Sequence, residues 1–395
     1  MLAIFKRRLK VPHSKKLATK KDYNHIAGYR PPKPPVAAVL AAIGLTLILA
    51  YAVFGDPDDG PLIPKLGAPT ISASTVPANG DINPYGVAFV PEGFARGGPL
   101  QYGDVLVSNF NASSNLQGTG TTIVSVSPSG TVSTFFQGKA GLGLTTALGL
   151  LKSGYVLVGN VPSTDGTSAT VSQGSLIILD RWGREVANFT DKKFLDGPWY
   201  LTVNDFGNFA QVYVSNVLSG TVTRIDLSFD FRGRNVGLNA TTIASGYTHR
   251  PDPAALEVGP TGLVYDRDND VLYVASTGDN AIYAVSHAGE RFSNAGKGTL
   301  IYTDNSHLRG PLALAAGPDG DLLTANGDAV NGDPNFPSEI VEFTKSGQFV
   351  AQFSVDAGGQ GGAFGIATEE ENDKVRFAAV DDIINALDVW NITER

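Results

Sequence analysis

The chain of 395 residues contains no cysteine. That absence excludes disulfides, thiolate metal ligands, a cysteine nucleophile and a lipid-modified cysteine anchor. Beyond residue 55 no long helical apolar pattern appears. No G-x-S-x-G elbow, phosphate-binding P-loop or dinucleotide-binding glycine turn occurs, so three common routes to catalysis or nucleotide binding are missing. The histidines, His13, His25, His249, His287 and His307, have no metal-binding spacing such as H-E-x-x-H. Charged residues make up 17% of the chain and hydrophobic ones 42%, so most of it can bury a core. The 46 glycines favour a turn-rich β protein. A cysteine-free exported domain must rely on that core alone, which suits a bacterial envelope.

Charge is divided unevenly. Residues 1–35 hold ten of the 30 basic side chains and only one acid, Asp22, of the 38 acidic ones. The remainder is strongly acidic and would repel a phosphate backbone, so no nucleic-acid partner is expected for it. Val36–Phe54 is an uncharged apolar run of 19 residues, enough as a helix to span a hydrocarbon core of about 30 Å. Its basic flank should stay in the cytoplasm. The segment therefore reads as a signal anchor, with the C-terminal part outside, in the periplasm of a bacterium. The competing reading is a cleaved signal peptide, because Ala50–Ala52 is an A-x-A site. The expected organisation is a basic cytoplasmic arm at 1–35, a transmembrane helix at 36–54, a linker at 55–68 and a folded domain at 69–395.

That domain repeats. Six units each open on a short apolar strand: Pro84–Val90, Thr145–Leu151, Pro198–Val203, Pro260–Tyr265, Pro311–Ala316 and Ala363–Thr368. A turn rich in Gly, Asp or Asn follows, then an alternating strand such as Val105–Phe110, Val156–Val161 or Val212–Val217. A third strand follows in every unit and a fourth in most. Six four-stranded sheets that cannot bury both faces alone spell an all-β, six-bladed β-propeller of antiparallel blades. The last unit lacks its fourth strand, and Pro69–Thr75 is placed to supply it, closing the ring without a disulfide. Two stacked sandwiches are the alternative, which the repeat count disfavours.

Leu272–Val285 and Val212–Leu227 resemble NHL-type repeats, whose pattern is roughly Y-V-A-D-x-x-N-x-R-I. NHL-like six-bladed propellers are similar to the gluconolactonase, paraoxonase and strictosidine-synthase-like propellers, among which are calcium-dependent hydrolases, a lyase and binding proteins. The resemblance implies the fold and leaves the function open.

In such a sheet the start of strand one and the end of strand two lie on one face of the disc. The strand-two positions are Asn109, Asn160, Asn216, Ser276, Asn326 and Val380. The strand-one positions are Tyr85, Thr146, Trp199, Thr261, Leu312 and Phe364. These twelve would ring the channel mouth, and Tyr85, Trp199, Thr261, Phe364, Asn109, Asn160, Asn216 and Asn326 are the candidate ligand-binding residues. Each Asn also suits a turn, where it bonds to nearby backbone. Long loops after strand two in units one, two and five point to binding on the same face.

The resemblance implies calcium in related hydrolases, but the strand-one positions here carry no carboxylate. A ring of Asn side chains is a weak cage for a cation that takes six to eight oxygens. Asp279, Asp328 and Asp381 follow the ring and could add charge. Asp266, Asp268 and Asp270 have calcium-loop spacing but lack the rest of that motif, and read as a hairpin turn. The expectation is therefore a membrane-tethered extracytoplasmic propeller that binds an envelope protein or a small molecule at its mouth, with no assigned catalytic residue and no required cofactor. A calcium-dependent lactonase or esterase and a structural envelope component are the alternatives.

Overall fold

The computed structural model of the chain describes residues 60–229, 236–327, 339–356, 362–371 and 374–393. The basic arm and the expected helix at 36–54 lie outside the described residues. Among the described residues no helix is long and apolar enough to cross a membrane.

The described part is an all-β, six-bladed propeller, each blade a four-stranded antiparallel sheet. Blade 1 comprises Ile82–Phe89, Val105–Asn111, Thr122–Val126 and Val132–Gln137; blade 2, Leu144–Leu151, Tyr155–Asn160, Ser175–Leu179 and Glu185–Phe189. Blade 3 comprises Pro198–Asp205, Phe209–Asn216, Thr221–Phe229 and Val236–Ser245; blade 4, Pro260–Asp266, Val271–Ser276, Ala281–Ser286 and Thr299–Tyr302. Blade 5 comprises Pro311–Ala316, Leu322–Asn326, Ile340–Phe343 and Phe349–Phe353. Blade 6 comprises Ile366–Glu371, Lys374–Asp381 and Ala386–Thr393, and takes its outer strand, Ile71–Ser74, from the start of the domain. Ile71 pairs with Val389 and Ser74 with Ala386, as the missing last strand predicts.

Burial follows this geometry. Strands in the middle of a blade are covered on both faces by neighbouring blades, so Val105–Asn111 is buried at every position. Outer strands such as Glu185–Phe189 are half exposed. Where blades 4 and 5 meet, Gly262 lies so close to its neighbour that a Cβ would sit 2.5 Å from the Ala313–Leu314 backbone. Hydroxyls stitch adjacent blades together. Ser108 donates to the Thr145 carbonyl at 2.8 Å and Thr145 to the Pro198 carbonyl at 2.9 Å. Thr261 and Thr277 both donate to the Pro311 carbonyl, at 3.1 and 2.7 Å.

One irregularity recurs. In blades 1 to 5 the pairing of the first and second strands slips near the start of the first strand. The slips fall between Pro84 and Gly86, Leu144 and Leu148, Pro198 and Tyr200, Pro260 and Leu263, and Pro311 and Leu314. The unpaired residues include Tyr85, Thr146, Trp199, Thr261 and Leu312. A bulge bends the strand and re-aims its side chain, so the direction of each of these residues is set by the irregularity rather than by simple alternation.

A capped channel mouth as candidate ligand site

The recurring Asn residues come first, because they organise the mouth. Each lies at the end of its blade's second strand, buried, with its amide turned toward the connector that leads into the same blade. Asn160 Nδ2 donates to the Leu142 carbonyl at 2.8 Å. Asn216 Nδ2 donates to the Phe194 carbonyl at 3.1 Å while its Oδ1 accepts the Asp196 amide at 3.1 Å. Asn326 does the same with His307 and Arg309, at 2.8 and 2.9 Å. Asn109 reaches the Thr75 carbonyl at 3.0 Å. In blade 4, where Ser276 stands at this position, Ser276 donates to Asp279, and Asp279 accepts from the backbone and hydroxyl of Thr248 in the incoming connector. In blade 6, Val380 makes the connection through its own backbone, donating to Gly365 at 3.0 Å. The Asn residues thus latch each connector to its blade and satisfy buried backbone groups.

The strand-one residues divide into two sets. Thr146 and Thr261 direct their hydroxyls to carbonyls of the next blade, Thr146 to Trp199 and Thr261 to Pro311. Tyr85, Trp199 and Phe364 come together, joined by Phe110 and packed with Leu312. Tyr85 stacks on Phe110 with ring centres 4.6 Å apart, and its ring lies 5.0 Å from Phe364 and 6.1 Å from Trp199. This aromatic cluster fills the mouth. Below it Tyr200 reaches from blade 3 to the Leu314 carbonyl of blade 5, at 3.3 Å. Farther along the first strands is a cavity of about 370 Å³, walled by all six blades and mainly apolar.

A hairpin lies over the cluster. It belongs to the connector between blades 3 and 4 and pairs Arg250–Asp252 with Leu256–Val258. Asp252 caps its turn by accepting the amides of Ala254 and Ala255 at 2.9 and 3.0 Å, and pairs with Arg250. Leu256 has a left-handed backbone, φ 62°, a conformation unfavourable for a leucine, and is 1% exposed among the mouth residues. Long loops of blades 1 and 2 hold the hairpin in place. Gln117 Nε2 donates to the Ala254 carbonyl at 2.8 Å and Ser168 Oγ to the Leu256 carbonyl. Gly118, at φ 66°, allows the close approach, since a Cβ there would lie 3.1 Å from Leu256 Cδ2.

Between hairpin and cluster is a small cavity of about 50 Å³, lined by Tyr85, Phe110, Phe364, Gln117, Glu257 and Thr277 among others. Glu257 is 7% exposed, and its carboxylate accepts no hydrogen bond from any described residue. Burial pushes its pKa up to about 7; nearby His249 opposes the shift and Asp252 adds to it. Gln117 Oε1 and Asn83 Oδ1, on residues that line the same cavity, are also buried without a partner.

A calcium ion fits the mouth acids poorly. Asp279 is engaged by Lys297 at 2.8 Å and by Thr248 and Ser276. Asp381 accepts the amides of Ile383 and Ile384, and Asp328 lies outside the described residues. Asp266 and Asp270 are held within their hairpin and by Lys345, Tyr265 and Gly289. Among the described residues one group of carboxylates, Asp319, Asp321 and Glu342, has oxygens within 4.8 Å of one another and could share a cation. It lies away from the mouth, and Glu342 there accepts the Leu62 and Ile63 amides at 2.6 and 2.8 Å.

Glu257, Gln117, Phe110 and the hairpin itself were not legible as site residues in the sequence. The available signal was a connector, from Ser245 to Pro260, longer than the others and rich in proline. No family model matches the chain, and no curated protein matches it in sequence. Solved structures do share its architecture. A luciferin-regenerating enzyme is 11% identical, with 81% of this chain and 94% of that one covered and a TM-score of 0.48. A putative gluconolactonase is 14% identical, with 80% and 94% covered and a TM-score of 0.45. The calcium-binding protein regucalcin of Agrobacterium tumefaciens is 13% identical, with 84% and 100% covered and a TM-score of 0.48. At these identities the likeness is one of fold: the chain is a six-bladed β-propeller whose structural neighbours are gluconolactonase-like and regucalcin-like propellers.

Proposed function

We propose that this chain is a ligand-binding propeller, tethered by residues 36–54 with its propeller outside the cytoplasm, whose site is the capped mouth of the channel. One observation carries the reading: Glu257, a residue 7% exposed beside an aromatic cluster, has a carboxylate with no hydrogen-bond donor among the described residues. A buried carboxylate without a partner is costly to keep, and a bound guest would offset that cost. The hairpin cover and the narrow cavity favour a small molecule over a protein surface. The test is native mass spectrometry of the full-length chain in detergent after incubation with an envelope metabolite extract. A small molecule retained by the wild type and lost from Glu257→Ala is expected. No retained molecule in either would overturn the reading.

A second reading, a hydrolase of the lactonase or esterase type, has one specific support. A carboxylate held near pH 7 in a cavity suits a general base. Lactone turnover abolished by Glu257→Gln would favour it, and the absence of turnover over a broad lactone and ester panel would remove it.

A further inference from the structure

We infer that the mouth cavity takes the head group of a primary organic ammonium ion, an inference that rests on the reading of the mouth as a binding site. Three acceptors on residues that line the cavity have no donor among the described residues. Gln117 Oε1 and Asn83 Oδ1 are buried without a partner, and the carboxylate of Glu257, a residue 7% exposed, accepts no hydrogen bond there. The orientation of Gln117 is fixed, because its Nε2 donates to the Ala254 carbonyl at 2.8 Å. The hydroxyl of Thr277, also in the lining, is turned away to the Pro311 carbonyl at 2.7 Å. A guest that brings donors would meet these three acceptors.

The walls narrow the choice further. Tyr85, Phe110 and Phe364 present aromatic carbon around the cavity, and the face of an aromatic ring attracts a cation. Phe110 and Phe364 supply no oxygens toward the coordination of calcium, which takes six to eight. A protonated primary amine has three N–H donors, one for each of the three acceptors, and a positive charge for Glu257. The second carboxylate near Glu257, Asp252, is paired with Arg250, so it does not compete for the guest. The donors set the last limit. A CH₂–NH₃⁺ group offers N–H bonds to these acceptors, whereas a trimethylammonium group has none.

The experiment is titration of the full-length chain in detergent at pH 8 with methylammonium, tetramethylammonium and calcium, read by tryptophan fluorescence, since Trp199 packs against Tyr85 and Phe110. Methylammonium should bind saturably in about the millimolar range, the limit set by its two heavy atoms. Glu257→Gln and Gln117→Ala should each weaken it about tenfold or more while unfolding cooperatively as the wild type does. Gln117→Ala guards against a fold defect specific to Glu257→Gln. Tetramethylammonium or calcium binding as tightly, or methylammonium binding unchanged in both variants, overturns the inference. If methylammonium does not bind while a neutral or anionic molecule is retained in a Glu257-dependent way, the ammonium assignment fails and the binding reading stands. If nothing is retained at all, both fail.

Discussion

Ser74 lies opposite Ala386 in an antiparallel sheet, next to the hydrogen bond from the Thr75 amide to the Asn385 carbonyl, so the wheel is shut by backbone pairing between its two ends. Cross-strand positions beside a hydrogen-bonded pair bring their side chains close. The chain has no cysteine to complicate the chemistry. The double substitution Ser74→Cys with Ala386→Cys should therefore oxidise to a crosslink. Faster migration on a non-reducing gel will report it, and urea titration should show a gain of up to about 4–5 kcal/mol for so long a closed loop. A protein that stays reduced under oxidant would contradict the pairing.

The Asn latches predict a second outcome. Asn216 satisfies the Phe194 carbonyl and the Asp196 amide and also donates to the hydroxyls of Thr221 and Thr223. Asn216→Ala leaves two partly buried backbone groups without this partner, so a loss of about 1–3 kcal/mol is expected in urea unfolding. If Asn216 acted on a ligand and not on the fold, stability would be unchanged.

Glu257 makes stability depend on pH. Its folded-state pKa, about 7, is raised above the usual 4.5, so the folded protein binds the proton more tightly than the unfolded chain. Its contribution is therefore unfavourable above pH 7 and fades as pH falls toward 4.5. Glu257→Gln should stabilise the ligand-free protein at pH 8, by up to about 3 kcal/mol, and make little difference near pH 4.5. Thermal unfolding at the two pH values checks this. An equal effect at both would mean that the carboxylate is not held near neutrality by burial.

Leu256 anchors the hairpin over the mouth. Leu256→Ala removes most of its buried side chain while leaving the blade strands untouched. Hydrogen exchange of amides in residues 250–258 should accelerate by at least about tenfold, while Val212–Asn216 keeps its protection. Unchanged exchange in the hairpin would show that the loops of blades 1 and 2 hold it without Leu256.

The wheel itself was legible because its signal is local and repeated. Alternation in Val212–Val217 needs only a pleated strand with one neighbour on each side, and six copies of the pattern leave few architectures open. The short final blade pointed to Pro69–Thr75 for the same reason. The mouth was legible only in part. Tyr85, Trp199 and Phe364 meet there, as their places at the start of the inner strands suggested. The amides of Asn109, Asn160, Asn216 and Asn326 are directed to connectors instead. A strand position says where a residue lies along the disc axis, and a bulge or a nearby carbonyl decides where its side chain points. Glu257 was hidden for a different reason. Its surroundings come from the loop after Val105–Asn111, from blade 4 and from the approach to blade 6, which no window of sequence brings together.

The start of the described chain has a mechanical consequence. Before the closing strand begins, the Leu62 and Ile63 amides are held by Glu342, and the Gly67 carbonyl accepts from Trp390 Nε1 at 2.8 Å. Tension applied ahead of this point would meet those bonds first, as a cable meets its clamp before its plug. The seam at Ile71–Ser74 is thereby sheltered from load, and a tug on the leader would peel off a short lead before it could pry the disc apart.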